Sequence, residues 1–250
     1  MKHSIVCDAL FSRLCHNIGY VVLSAAACAA GNGNQFRYKA YKEYIPYQLL
    51  ELQTSDVTRW LHLATYLYSQ NQFSFSLKIV DHVLAQCTPD KLYYDEDKFT
   101  HEHVQGIVHE ELYQLKTIAN IVYKRNVIKA IVFPISVTIP HELKTEIDFK
   151  GYSIKPPVVY GHFRSFLCYF KQNDYRNCQI ALSSLKLTIE NDYFIGNNTA
   201  LAESYICLGV AYRKLGLLED AKKCFLTSIR LHRQQDAYGN FMLQSCNNNN

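Results

Sequence analysis

The clearest pattern in the chain lies between residues 202 and 233, where apolar and small side chains recur at the spacing of amphipathic helices. The recurring positions form two runs, Tyr205, Leu208, Gly209 and Tyr212 in the first and Ala221, Phe225 and Ser228 in the second. Gly216 lies between the runs, where the chain must turn. Acidic residues open the second run and arginines close it, which suits the helix dipole. The pattern predicts two antiparallel helices that approach closely where Gly209 and Ala221 leave room.

Two weaker patterns of the same kind lie upstream. In residues 159–188 the turn falls at Asn173, and the helical positions are Tyr169, Cys178 and Leu182. In residues 56–85 the turn falls at Asn71, and the helical positions are Trp60, Leu63, Ala64, Leu67, Ser76, Val80 and Val83. We therefore predict three helix-pair units, at residues 57–90, 159–191 and 202–235.

The chain between the first two units, residues 91–157, does not show this pattern. Residues 99–124 are predicted to form one long helix. A β-branched run from Ile131 to Thr138, interrupted by Pro134, indicates an extended segment. Pro140 then opens a short helix. We predict a non-repeat insertion inside an otherwise helical domain that extends over residues 35–245.

Residues 1–34 form a separate N-terminal segment, in which an apolar run, Ile18–Ala30, precedes a turn of alternating Gly and Asn. The run is too short to span a membrane, which takes about 20 apolar residues. Two interpretations stay open: a soluble amphipathic helix, or the apolar part of a leader with small residues at Ala25–Ala27 for cleavage. Only the second would associate the protein with a membrane. At the other end, residues 246–250 are predicted to be a polar tail.

The pattern in residues 202–233 resembles one unit of the tetratricopeptide repeat (TPR), a family of helix pairs with about 34 residues each. The match rests on six residues that we take as repeat-defining: Tyr205, Leu208, Gly209, Tyr212, Ala221 and Phe225. The family's proline near the end of the unit is absent, and Arg233 stands in its place. The resemblance implies an all-α fold of irregular, TPR-like antiparallel helix pairs (α-solenoid-like) with a non-repeat insertion.

The same resemblance implies a binding surface along the first helix of each unit. Carried over to this chain, the partner-binding groove comprises Tyr68, Tyr160, Phe163, Phe170 and Arg213. The lysine and asparagine with which chaperone-binding members clamp a terminal carboxylate are missing. We therefore expect an apolar groove for a peptide or an amphipathic helix of a protein partner. The alternative is that the insertion covers these residues and that they belong to the core.

A looser resemblance extends over residues 50–233. The stretches DVTRWLHLATYLYSQNQF, TIPHELKTEI and PPVVYGHFRSFLCYF look like the C-terminal helical region of invertebrate male-abnormal (Mab) family proteins, which are related to cyclic GMP-AMP synthase. In that family a nucleotidyltransferase core precedes the helices, and its Gly-Ser and paired strand aspartates are not found here. The alternative function is therefore the helical portion of a Mab-like protein that lacks its catalytic core, with a role in sensing nucleotides or nucleic acid.

The sequence patterns indicate neither catalysis nor a cofactor nor a metal. His101 and His103 are two residues apart, and His109 lacks a second histidine four residues on, so neither matches a zinc-binding helix. A nucleophile elbow and a Ser/His/Asp arrangement are not recognisable. We expect a protein that is not an enzyme, binds no cofactor or metal, and acts through a protein or peptide partner.

Composition agrees with a globular protein in a reducing compartment. Apolar residues make up 48% of the 250 residues and charged residues 19%, which excludes a mostly disordered chain. The nine cysteines are scattered, without a CxxC pair, and indicate reduced, buried thiols. The formal net charge of +4 is too small to argue for nucleic acid as a partner. We predict a cytoplasmic protein that does not bind nucleic acid.

Overall fold

The structure, a computed structural model, describes residues 57–89, 91–94, 127–134, 141–232 and 237–247. The helices in these ranges are α1 (Val57–Ser69), α2 (Phe73–Gln86), α3 (His141–Lys150), α4 (Pro157–Lys171), α5 (Tyr175–Glu190), α6 (Asn198–Lys214), α7 (Leu218–Leu231) and α8 (Ala237–Asn247). The strands are β1 (Leu92–Tyr94), β2 (Val127–Lys129), β3 (Ile131–Pro134) and β4 (Tyr152–Lys155). The predominantly helical class is confirmed. The predicted N-terminal run and the helix over 99–124 lie outside the described residues.

One type of turn joins α1 to α2, α4 to α5 and α6 to α7. In each, the second residue after the first helix has a left-handed backbone, with φ of 60° at Asn71, 58° at Asn173 and 76° at Gly216. Gly and Asn adopt this conformation at the lowest cost. The next backbone N–H donates to a carbonyl five residues back, from Gln72 to Leu67, Asp174 to Tyr169 and Leu217 to Tyr212, at 2.8, 3.0 and 3.0 Å. The turns predicted at these positions are confirmed.

A second shared feature lies five residues beyond each left-handed residue, in the second helix of the pair. The residues there are Ser76, Cys178 and Ala221, all small and buried. In two pairs this residue contacts the first helix twelve residues back: Ser76 Oγ donates to the Ala64 carbonyl at 2.8 Å, and Cys178 Sγ to the Phe166 carbonyl at 3.9 Å. A small side chain is needed here because the two backbones approach closely.

Gly209, twelve residues before Ala221, shows the close approach of α6 and α7 directly. A Cβ atom built on Gly209 would lie 2.5 Å from a ring carbon of Phe225, a distance at which something must shift. The missing side chain at Gly209 therefore admits the Phe225 ring. The close approach predicted for this glycine is confirmed.

The three helix pairs follow one another in space. α4 packs against α1 and α2, α6 packs against α4 and α5, and α8 packs against α7. The helices share one apolar core, in which the fully buried aromatic side chains include Tyr160, Phe163, Phe166 and Phe225. Burying an apolar side chain of this size stabilises a protein by about 1.5–3 kcal/mol relative to leaving it exposed. The aromatic residues along the first helices thus contribute strongly to the folded state.

The described part of the insertion packs on this helical core. β3 and β4 pair antiparallel with Ile131 opposite Lys155, and β1 and β2 pair in parallel. α3 lies against α8 and β4, β4 against α6, and β2 against α1. Ile131, Phe133, Leu143 and Ile147 are at most 1% exposed. The short helix predicted from the sequence is confirmed as α3. The predicted extended segment is confirmed over Ile131–Pro134 as β3, and its remaining residues lie outside the described ranges, whereas β4 was not predicted.

The predicted start of the C-terminal tail is wrong. α8 extends to Asn247, and Cys246, the first residue of the predicted tail, is fully buried. Tyr238 and Met242 are buried on the same helix, eight and four residues before Cys246. This spacing of four places all three on one face, which packs into the core. Two of the three helix pairs begin earlier than predicted, with α4 at Pro157 and α6 at Asn198.

Gly209→Ala tests the close approach of α6 and α7. Alanine normally stabilises a helix interior over glycine by about 0.5–1 kcal/mol. Here the added methyl group meets the Phe225 ring, so we expect a loss of about 1–3 kcal/mol of unfolding free energy in urea denaturation. Phe225→Leu added to Gly209→Ala is the control, because the smaller side chain should recover part of that loss. A Gly209→Ala variant as stable as the native protein would contradict the close approach.

Candidate functional site

Three of the five predicted groove residues lie in the core. Tyr68, Tyr160 and Phe163 are 6%, 0% and 0% exposed, while Phe170 and Arg213 are partly buried. Phe170 packs on the ring of Phe166, and Arg213 Nη1 contacts Met242 Sδ at 3.4 Å. The three core side chains are too deep to be open to a partner, although the binding role of the set stays a prediction.

Residues of the insertion contact two of these groove positions. The ring centroid of Phe133 on β3 lies 5.0 Å from that of Tyr160 on α4 and 5.1 Å from that of His62 on α1. Glu142 on α3 accepts a hydrogen bond from the Tyr68 hydroxyl at 3.0 Å. These contacts agree with the alternative stated above, in which the insertion covers the first helices and the predicted groove is part of the core.

The six repeat-defining residues come together in α6 and α7. Leu208, Gly209, Ala221 and Phe225 are buried, and Tyr205 and Tyr212 are partly buried against the core. Burial is the main reason why the pKa values of Tyr205 and Tyr212 are raised. These residues pack the two helices together, as the sequence pattern predicts.

A charged cluster around Arg164 on α4 was not predicted. The Arg164 side chain is fully buried, and its Nη2 donates to the hydroxyls of Tyr160 and, at 3.1 Å, Thr65. Its guanidinium carbon lies 4.4 Å from the centroid of the Tyr68 ring and 5.1 Å from that of Tyr160. Cation–π contacts and hydroxyl groups thus replace part of the hydration that a buried cation loses. The signal in the sequence is a single arginine inside the mostly apolar run PVVYGHFRSFLCYF.

Glu142 at the start of α3 supplies the negative charge near this cluster. It accepts from Tyr68, and its Oε1 lies 3.6 Å from Lys214 Nζ at the end of α6. Burial raises the pKa of Tyr68 well above its ordinary value, with Glu142 adding to the effect and Arg164 opposing it. Tyr68 therefore stays protonated and links α1 to the insertion.

A second buried cluster joins the insertion to α6. Lys155 on β4 is fully buried and donates to Glu146 on α3 at 2.7 Å and to Glu203 on α6. Lys150 also donates to Glu203 at 2.7 Å, and His232 Nε2 lies 3.4 Å from the same carboxyl group. We call these five residues the Lys155 cluster. Oppositely charged partners reduce the cost of burying the lysines and the glutamates of this cluster.

The described surface carries an exposed aromatic pair, Phe149 on α3 and Phe241 on α8. Their ring centroids are 5.0 Å apart, and the residues are 50% and 39% exposed. The Tyr238 ring lies beneath, 6.2 Å from Phe149 and 5.8 Å from Lys150 Nζ. Neighbouring aromatic side chains that remain exposed are typical of surfaces that protein partners bind.

The three lysines of α6 and α7 are paired with carboxylates. The pairs are Lys214 with Glu142 at 3.6 Å, Lys222 with Glu219 at 2.9 Å and Lys223 with Asp220 at 3.2 Å. Such pairing weakens the positive potential that phosphate binding requires. It supports the expectation that nucleic acid is not a partner, which stays a prediction.

Within the described ranges, histidine, cysteine and carboxylate side chains do not gather in groups of three or more that could hold a metal. The six cysteines of these ranges are free and buried, and burial raises the pKa of Cys87, Cys207 and Cys224 to about 12. Such thiols stay protonated at neutral pH and are poor nucleophiles.

In the part of the chain that the structure describes, every helix falls short of the length and apolar character that crossing a bilayer takes. The cytoplasmic location stays a prediction.

Comparisons of the chain with family models, with curated proteins and with solved structures find no match. The TPR and Mab-like resemblances therefore stay predictions that rest on the residues quoted for them. The geometry itself establishes a coarser class, a predominantly helical protein built of successive helix pairs.

Phe163→Ser and Phe241→Ser separate core from surface among the aromatic residues. A serine at the fully buried Phe163 leaves a cavity and a buried hydroxyl, so we expect a loss of about 4 kcal/mol of unfolding free energy or more. Phe241 is exposed, so its variant should lose about 1 kcal/mol or less. Thermal unfolding followed by circular dichroism measures both. Equal stability of the two variants would instead favour an open groove at Phe163.

Proposed function

We propose that the protein is a TPR-like helical-repeat module that binds another protein or a peptide and has no catalytic activity of its own. The observation that carries the proposal is the recurrence of one geometry, a left-handed turn residue followed five positions later by a small buried residue, in three helix pairs. Helix pairs that stack in series present extended surfaces, which proteins of this architecture use to bind partners.

We assign the partner to the surface around Phe149 and Phe241 rather than to the groove predicted from the sequence. Tyr160 and Phe163 are fully buried, and Phe133 contacts Tyr160 from the insertion. The exposed pair belongs to α3 and to α8, which packs on the last helix pair. A partner with an apolar face, such as an amphipathic helix, would bury both rings, and aromatic residues often dominate the free energy of such contacts.

The burial of the charged clusters supports the non-catalytic part of the proposal. Lys155 and Arg164 are fully buried and hydrogen-bond within the protein. Glu146 of the Lys155 cluster is fully buried as well. The groups of that cluster whose pKa values are shifted are therefore remote from any substrate in solvent. A catalytic acid or base needs to reach the proton that it transfers.

A photo-crosslinking residue in place of Phe241 tests the assigned surface. The matched control carries the same residue in place of Phe75 on α2, which is 58% exposed and outside the aromatic pair. In a lysate of cells that produce the protein, we expect a discrete protein adduct from position 241 and not from position 75. Phe149→Ser should weaken that adduct while the protein stays folded. Equal adducts at both positions, or none at 241, would contradict the assignment.

A further inference from the structure

The Lys155 cluster brings two carboxyl groups onto one ammonium group inside the protein. Lys155 Nζ lies 2.7 Å from Glu146 Oε1 and also contacts Glu203 Oε2, so the two carboxyl groups flank a single ammonium group. Glu146 is fully buried, and its Oε2 has no partner in the part of the chain that the structure describes. Two ionised carboxylates this close repel each other, and burial favours the uncharged form. A proton on one of the two carboxyl groups reduces both the repulsion between them and the cost of burying their charge.

Charged and titratable groups face the two carboxyl groups from every described element around them. Lys150 on α3 lies 3.8 Å from Glu146, and Ser153 on β4 donates to Glu146 at 3.3 Å. The remaining groups are Cys207 on α6, His232 after α7, and Tyr238 on α8 with Arg213 beside it. Burial keeps the Cys207 thiol and the Tyr238 hydroxyl protonated, because it raises the pKa of each. The carboxyl groups are therefore the acidic members that ionise below alkaline pH.

We propose that Glu146 and Glu203 share one proton in the folded protein, and that loss of this proton loosens the packing of α3 and β4 on α6. The shared proton is a pH-sensitive contact between the insertion and the helix pairs. It involves no residue of the exposed aromatic pair, so the proposal is independent of where a partner binds.

The electrostatics of the two groups agree with this assignment. Burial raises the pKa of Glu146 to about 8, with Lys155 opposing and Glu203 reinforcing the effect. Burial also acts to raise the pKa of Glu203, but Lys155, His232 and Lys150 outweigh it and hold that pKa well below its ordinary value. At neutral pH the proton therefore resides on Glu146 while Glu203 is ionised.

The direction of the pH dependence follows from these shifts. The unfolded chain releases the Glu146 proton near the ordinary pKa of 4.5, and the folded protein releases it near 8. The contribution of this proton to stability is complete below about pH 4.5 and is lost as the pH rises to about 8. Above about pH 6 the lowered pKa of Glu203 and the raised pKa of Lys155 make a constant contribution, because both groups are charged there in the folded and the unfolded protein.

Glu146→Gln tests the proposal, because the amide resembles the protonated carboxyl group and cannot ionise. Urea denaturation at several pH values between about 5 and 8 measures the folding equilibrium constant. Relative to Glu146→Gln, the native protein should lose up to about tenfold in this constant for each pH unit. The control is Glu190→Gln, which removes a half-exposed carboxylate 3.6 Å from Lys186 and should keep the native slope. The same slope in the native protein and in Glu146→Gln would overturn the proposal.

Two measurements on the native protein complete the test, and they decide it if the variant does not fold. Hydrogen exchange, corrected for the intrinsic effect of pH, should show α3 and β4 losing more protection than α2 as the pH rises. Infrared spectroscopy at about pH 7 should show the carbonyl band of a protonated carboxylic acid, which disappears when urea unfolds the protein and the group ionises. Absence of that band from the folded protein would overturn the shared proton.

Discussion

The structure depends on the close approach of two helices at a turn of fixed geometry. A left-handed residue sets the direction in which the second helix leaves, and a small residue five positions later meets the first helix. In the pair of α6 and α7, Gly216 is the left-handed residue and Ala221 is the small residue. Gly209 on the facing helix lets the Phe225 ring pack against the backbone. Because only a residue tolerant of positive φ fits the turn at low cost, the three turns carry Asn or Gly. The stacking of the helix pairs builds on this local constraint.

The insertion is bound to the helix pairs by apolar packing and by buried charge. Phe133 packs on Tyr160, and Lys155 reaches Glu203 on α6. Removing one partner of such a pair leaves an uncompensated buried charge, which costs about 3–5 kcal/mol. The described insertion is therefore part of the core, and the face of the first helices is an internal contact of the chain. We therefore propose the exposed surface on α3 and α8, rather than the groove, as the place where a partner binds.

Sequence reasoning succeeds where the cause of the structure is local. The turns and the spacing of small residues can be predicted because they depend on neighbours in the chain. β4 was not predicted because Lys155 is a charged residue that faces inward. α8 was not predicted because a glycine and an asparagine interrupt its apolar positions. The sequence cannot decide whether the groove residues are open, because an apolar helix face has the same pattern whether a partner or the insertion covers it. Arg164 and the Lys155 cluster involve residues far apart in sequence, so only the fold brings their partners together.

Tyrosine accessibility in solution shows whether the insertion covers the first helices. Hydroxyl-radical footprinting with mass spectrometry compares oxidation at Tyr160, which is fully buried, with oxidation at Tyr175, which is 62% exposed. The two tyrosines lie on consecutive helices and have the same intrinsic reactivity. We expect Tyr175 to be oxidised in the folded protein and Tyr160 to be protected until urea unfolds it. Equal oxidation of both tyrosines in the folded protein would contradict the covered face and restore the open groove.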